Sequence, residues 1–318
     1  MTTGCVPGWL SAPIEVTCEL TAACNLACKY CYAEAGIAQE PELTTAEWLA
    51  LLEQVASLGV FTVFLGGGEP LLHPGFFEIA SRAQKLRLTA AVSTNGTLIT
   101  DEVARQLAEA RVAPVQVSLD GANPEVHGFL SGRESAFRQC IRGLEFAARH
   151  NLPVQLAVTL TTVNLNQIEP MVNLARHFGI SSVFFSAVLG PPAQDPMLML
   201  SREQEQMACL TVEALQTRNQ EVLLVFTGTS YSSLSDPEQS LNAVDQVFSP
   251  CPAGRVRLVV SPSGNVFPCE FLRSPSVVAG NVRAMSLREI WDGSEIFRSF
   301  RRTFSGRSCA NCSLLATR

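Results

Sequence analysis

The chain has 318 residues, 47% of them apolar and 16% charged, which is enough to bury a large core and reads as a soluble globular protein with one large domain and a small one. A net charge of -6 argues against a general nucleic-acid binder, whose affinity comes from Lys and Arg neutralising phosphates, though it leaves room for a local basic groove. No stretch of about eighteen apolar residues and no basic-then-apolar leader in MTTGCVPGWLSAPIEV is present, so neither membrane insertion nor export is expected and the assignment is cytoplasmic.

In chain order, the strand IEVTCEL (14–20) leads into a cysteine-rich loop, and a helix follows in TTAEWLALLEQVASLG (44–59), with Thr as cap and Gly as stop. Next come the strand VFTVFLGG (60–67), a helix from Phe76 to Lys85, the strand LTAAVSTNG (88–96), a helix from Asp101 to Ala110 and the strand PVQVSLDG (114–121). A helix near Glu134 to His150, the strand PVQLAVTL (153–160), a helix from Ile168 to Phe178 and the strand SSVFFSAV (181–188) complete the alternation. Strands separated by helices must cross over and pair in parallel, so the expected fold is α/β, a parallel sheet curled into a partial barrel of six strand-helix units. Residues 190–250 are less regular, with one helix from Ser201 to about Arg218. From 251 the pattern changes to a hairpin, RVRLVVSPSGNVFPCEF, then a helix, SLREIWDGSEIFRSFRR, then CANC. The expected division is a barrel over 1–189, a bridging region over 190–250 and a small metal-stapled α+β domain over 251–318.

Glycine-rich and polar segments fall at the C-terminal ends of the strands: GGGEP (66–70), STNG (93–96) and SLDG (118–121). Barrels of this kind carry their active sites on that rim. Eleven cysteines without an export signal point to metal binding, because the cytosol keeps thiols reduced. Seven form two groups, Cys24, Cys28, Cys31 and Cys251, Cys269, Cys309, Cys312, while Cys5, Cys18, Cys140 and Cys209 stand alone and read as buried, inert thiols. The first group has three thiols and no histidine nearby, whereas structural zinc closes with four ligands. An iron-sulfur cluster suits three soft thiolates and leaves one iron open to another ligand.

CxxxCxxC, filled here by Cys24, Cys28 and Cys31 with Tyr30 before the third, resembles the signature of the radical S-adenosylmethionine (radical SAM) enzymes. GGGEP resembles their GGE motif, and STNG and SLDG stand where that family contacts its cofactor. Cys251, Gly264 ahead of Cys269, GNVRAMSLREIW and the closing Cys309 and Cys312 resemble the SPASM/Twitch extension, the shorter Twitch form being implied by the six residues that follow Cys312. The resemblance implies a partial (β/α)6 TIM-type barrel with two 4Fe-4S clusters, one binding S-adenosylmethionine at Cys24, Cys28 and Cys31, the other auxiliary and fully ligated by Cys251, Cys269, Cys309 and Cys312.

By the same resemblance, Gly67 and Gly68 let the backbone approach the methionine amino group and Glu69 helps hold it. Ser93, Asn95 and Ser118 face the ribose and carboxylate, and Tyr30 the adenine. Where the family often reads H-D-x-x-R-G, this chain has HGFLSGRESAF, so Ser131 holds the arginine position and Arg133 is the candidate for the carboxylate contact. Asp120, Glu270 and Cys209 are read as structural, and no catalytic acid, base or hydrogen donor is assigned. The implied activity is reductive cleavage of S-adenosylmethionine and modification of a ribosomally made peptide by crosslinking, epimerisation, oxidation or excision. The alternatives are a dehydrogenase or epimerase of a small aminocyclitol, sugar or nucleoside, and a non-catalytic iron-sulfur electron carrier. The motif begins after only 23 residues, which leaves no room for a fused leader-binding domain, so the expected partners are a precursor peptide, a separate leader-binding protein and an electron donor such as flavodoxin or ferredoxin.

Overall fold

The computed structural model describes residues 10–33, 35–36, 41–188, 196–228 and 252–303. Seven parallel strands form its frame: β1 (Glu15–Thr21), β2 (Thr62–Gly67), β3 (Thr89–Thr94), β4 (Val115–Ser118), β5 (Val154–Leu160), β6 (Ser182–Ala187) and β7 (Leu223–Thr227). The chain returns between them through α1 (Thr45–Ser57), α2 (Phe76–Lys85), α3 (Asp101–Glu109), α4 (Pro124–Ser131) with α5 (Ala136–Arg149), α6 (Ile168–His177) and α7 (Arg202–Arg218). Local chemistry starts these helices where the sequence indicates. Thr44 and Glu47 form a reciprocal capping box on α1, Thr100 caps α3, and Ser201 with Gln204 boxes α7.

Two elements add to the expected alternation. Strand β7 lies in the stretch read as irregular and pairs in parallel with β6. Helix α4 was hidden inside a segment read as a motif, although Asn123 at its cap, Pro124 in its first turn and Gly132 in left-handed conformation after it are sufficient local signals. In the C-terminal stretch, β8 (Arg257–Val260) and β9 (Asn265–Phe267) make the expected hairpin, and β10 (Gly280–Asn281) pairs with β9. The helix expected to run unbroken from 286 is two, α8 (Leu287–Gly293) and α9 (Glu295–Thr303), because Ser294 is extended and breaks the ladder.

All ten strands belong to one sheet, in the order β10-β9-β8-β1-β2-β3-β4-β5-β6-β7. Strand β8 joins it by pairing in parallel with β1, Glu15 opposite Arg257 and Cys18 opposite Val260. One face of the sheet is the core. Val16, Cys18 and Leu20, Val63 and Leu65, Val115 and Val117, Leu156 and Val158, Val183 and Phe185 are buried with Trp48, Leu51, Ile79, Leu107, Leu144 and Met171 from the helices. The opposite face is half-open along β3 to β7 and mixes polar with apolar side chains. There Ser93, Gln116 and Gln155 share one row, Ser118, Ala157, Phe184 and Val225 a second, and Thr159, Ser186 and Thr227 a third. A parallel sheet normally buries both faces, so a half-open inner face that carries Ser, Thr and Gln marks a lumen rather than a core. The lone thiols divide: Cys18 and Cys140 are buried as expected, but Cys209 is only half-buried, its Sγ 3.6 Å from Glu213 Oε1 on the outer side of α7. Cys5, Cys251, Cys309 and Cys312 lie outside the described residues.

Candidate active site

The cysteine loop follows β1 and is held by three neighbours. GGGEP closes on its start: the Gly68 N–H donates to the Thr21 carbonyl at 2.8 Å and the Glu69 N–H to the Ala23 carbonyl at 2.8 Å. Glycine is required there. A Cβ on Gly67, whose φ is +120°, would sit 2.5 Å from the Thr21 oxygen, and one on Gly68 would overlap the Ala22 and Ala23 carbonyls. STNG supplies the second support, Asn95 Nδ2 donating to Asn25 Oδ1 at 2.8 Å while Asn25 Nδ2 donates to Thr97 Oγ1 at 2.8 Å. The third is the end of α4. Ala27 N–H donates to the Ser131 carbonyl at 3.2 Å, Lys29 N–H to the Leu130 carbonyl at 3.0 Å, and Arg133 Nη1 to the Asn25 carbonyl at 3.3 Å.

Glu69 lies at the centre of these contacts and is fully buried. Its Oε1 accepts from the Thr94 hydroxyl at 2.8 Å and the Leu71 N–H at 3.2 Å, and its Oε2 from the Asn95 N–H at 2.8 Å. Burial pushes its pKa up to about 7 against those three hydrogen bonds. The carboxylate therefore ties the GGGEP loop to STNG. The Asn95 amide is likewise engaged, by Asn25 and by Thr97. Ser93 and Ser118, by contrast, stand half-open on the inner face, and neither hydroxyl has a partner among the described residues. The Tyr30 hydroxyl donates to Asp120 in the SLDG segment, a pairing the sequence did not suggest across 90 positions.

Cys24, Cys28 and Cys31 are half-buried and unbridged. Burial raises the Cys24 and Cys28 thiols, and nearby negative charge raises them further, Glu69 acting on Cys24, Asp120 on Cys28 and Cys31 on both. Three thiolates so close in a partly dry loop need a cationic centre to be stable, and a polynuclear one fits them. The donor set, three thiols and no histidine in one loop, suits an iron-sulfur cluster. On the C-terminal side Cys269 is buried after β9, with the Phe271 N–H at 3.5 Å from its sulfur.

A cleft of about 330 Å³ opens beside this loop, lined by Gly67, Gly68 and Tyr32 on one side and by Ser263, Asn265 and Arg273 on the other. Arg273 pairs with Glu19 of β1, and its guanidinium lies 5.3 Å from the Phe267 ring centroid and 5.9 Å from that of Tyr32. Arg257 pairs with Glu270 at 3.0 Å. Sequence reasoning did not select Glu19 or Arg273; no local pattern marks a pair 254 positions apart.

Comparison with known proteins agrees with this geometry. Residues 18–175 match the family profile of the radical SAM superfamily, and residues 251–313 that of SPASM, an iron-sulfur cluster-binding domain. The chain is 33% identical over 310 residues to the mycofactocin maturase MftC of Mycolicibacterium smegmatis, covering 95% of this chain and 76% of that one. It is 32% identical over 303 residues to an AdoMet-dependent heme synthase of Methanosarcina barkeri (92% and 85%), and 30% identical over 309 residues to the PqqA peptide cyclase of Rhizobium meliloti (94% and 79%). The crystal structure of Streptococcus suis SuiB bound to its precursor peptide SuiA superposes with a TM-score of 0.78 at 19% identity, covering 92% of this chain and 68% of that one. The fold and the loop thus define a radical SAM enzyme. The chain belongs to the radical SAM superfamily and carries a C-terminal SPASM domain, so S-adenosylmethionine, a 4Fe-4S cluster and an auxiliary iron-sulfur centre are its cofactors.

Proposed function

We propose that this enzyme modifies a ribosomally synthesised precursor peptide. The observation that carries the reading is the 33% identity, across nearly the whole chain, to proteins named as a maturase, with a peptide cyclase at 30%. A second reading comes from the relatives named as heme synthases, at 32%. The inner face favours the peptide. Along β2 to β7 it carries no charged side chain, and the two arginines at its β1 side, Arg257 and Arg273, are each engaged with a glutamate. A heme precursor brings carboxylates that need cations, whereas a peptide segment is served by Ser, Thr and Gln.

When bound, the cluster and S-adenosylmethionine supply a 5'-deoxyadenosyl radical able to take a hydrogen atom from carbon. The residues of the chain position those groups. Cys24, Cys28 and Cys31 hold the cluster, and Cys251, Cys269, Cys309 and Cys312 the auxiliary centre. Ser93 and Ser118 offer their hydroxyls to the cofactor's ribose or carboxylate, and Tyr30 flanks its adenine. Gly67 and Gly68 bring the backbone close, while Glu69, Asn95 and Arg133 hold the three loops in register. The partners in this reading are a precursor peptide, a separate leader-binding protein whose tethering raises the local concentration of the core peptide, and an electron donor of the flavodoxin or ferredoxin type.

The test incubates reconstituted enzyme with S-adenosylmethionine, reductant and a genomically adjacent precursor peptide, with and without a small adjacent partner protein, and reads the peptide by mass spectrometry. A mass change in the peptide that depends on S-adenosylmethionine is expected. Turnover of a heme precursor, a free aminocyclitol or a nucleoside, with the peptide untouched, would overturn the reading.

A further inference from the structure

Asp120 is the buried acid for which the reaction as described has no use. It is 1% exposed, at the end of β4, and every polar group of the residue is engaged. One carboxylate oxygen accepts from the Tyr30 hydroxyl and the other from the Thr159 N–H at 2.8 Å. Its own N–H donates to His127 Nδ1 at 3.2 Å, and its carbonyl accepts from Asn164 Nδ2 at 2.8 Å. None of these neighbours is a cation. His127 is itself 1% exposed, and burial holds its ring neutral. Glu19, a deeply buried carboxylate on β1, has Arg273 beside it; among the described residues Asp120, like Glu69, has no such cation.

The position matters because of what Tyr30 is. It stands between Cys28 and Cys31, so a bond from its hydroxyl to Asp120 fastens the ligand segment to the ends of β4 and β5. It also brings a carboxylate with no cation beside it among the described residues up against that segment. Adding an electron next to a buried negative charge is unfavourable in a low-dielectric surrounding, and reduction potentials of iron-sulfur centres respond to net charge and hydrogen bonding nearby. Cleaving a sulfonium reductively demands a strong reductant, which is what such a charge helps to make.

We infer that Asp120 is a positioning residue with an electrostatic role: it fixes Tyr30, and through it the Cys28–Cys31 segment, and its charge holds the cluster carried there at a more negative potential. The inference rests on Cys24, Cys28 and Cys31 being the ligands of the S-adenosylmethionine-binding cluster. Iron content of Cys24→Ala tests that assignment separately: undiminished iron there would defeat the ligand assignment, not the role of Asp120.

The experiment is an anaerobic potentiometric titration followed by electron paramagnetic resonance, with iron and sulfide content measured on the same full-length samples. The relevant centre is identified as the one whose signal changes on adding S-adenosylmethionine. Asp120→Asn and Asp120→Ser both remove the charge, and both are expected to keep their iron and shift that midpoint to a less negative value. Tyr30→Phe keeps the charge and is expected to show no such upward shift, while losing iron to a chelator faster than the wild type. An unchanged midpoint in the charge-removing variants overturns the inference. So does failure of both to take up iron while Tyr30→Phe loads fully, because the carboxylate would then serve assembly without acting through the tyrosine.

Discussion

At the scale of single residues, the three clustered cysteines and the buried Glu69 lead to different measurements. Replacing Cys24, Cys28 and Cys31 together with Ala is expected to remove about half of the roughly eight irons that two four-iron clusters hold, and to abolish formation of 5'-deoxyadenosine. Iron analysis and chromatography of the products check both. Glu69 affects stability through its proton. Its pKa is about 7 in the fold against 4.5 when exposed, so the fold prefers the protonated form. That contribution is fully present below 4.5, is lost as the pH rises toward about 7, and is constant above; its size is on the order of 3 kcal/mol. Glu69→Gln is expected to remove this pH dependence. It also sets an amide N–H against that of Asn95, lowering stability at low pH by about 1–3 kcal/mol. Denaturant unfolding across the window reads both effects.

At the scale of elements, the cysteine loop depends on how neighbouring turns meet it. The end of α4 reaches it through Gly132, whose φ is +70° and where a Cβ would lie 2.5 Å from the Ala27 carbonyl. Gly132→Ala therefore forces either the turn or the loop to move, at a cost on the order of 1–3 kcal/mol. The expected result is a lower melting temperature and faster iron loss to a chelator, with the helical content of the protein unchanged by circular dichroism. Arg133 belongs to the same junction. By family resemblance it is the candidate for the cofactor carboxylate; in the fold its guanidinium binds the Asn25 carbonyl and Ser135 Oγ, so it braces the loop. Arg133→Ala is expected to weaken S-adenosylmethionine binding about tenfold or more, as loss of a hydrogen bond to a charged group does, and to accelerate iron loss as well. Calorimetric binding with unaltered affinity would leave Arg133 as a brace alone.

At the scale of the whole molecule, the C-terminal segment is tied to the barrel by the β1–β8 pairing and by Glu19 with Arg273, whose side chains are 4% and 19% exposed. Removing one partner strands a buried charge, so Arg273→Ala is expected to destabilise by about 3–5 kcal/mol. Replacing both, as Glu19→Gln with Arg273→Met, is expected to cost far less, because no charge is then left unpaired. A double-mutant cycle in denaturant measures the difference. Equal losses in the single and double variants would show that the pair contributes packing and not charge.

Much of this protein is written in short spacings. The period-two and period-three-to-four alternation gives β1 to β6 and most helices, Thr44 with Glu47 announces α1, and Cys24, Cys28 and Cys31 announce their chemistry without reference to the rest of the chain. These features depend on residues a few positions apart, so they survive in a linear reading. What the tertiary structure decided is which distant groups meet. Glu69 chose Thr94 and Asn95 as partners, Tyr30 chose Asp120, Glu19 chose Arg273, and β8 came to lie against β1. The edge strand β7 likewise becomes a strand by pairing with β6, since its five residues have too little pattern of their own. Burial selects such pairings, because a polar group withdrawn from water must find a partner wherever the fold brings one, and sequence distance has no bearing on that.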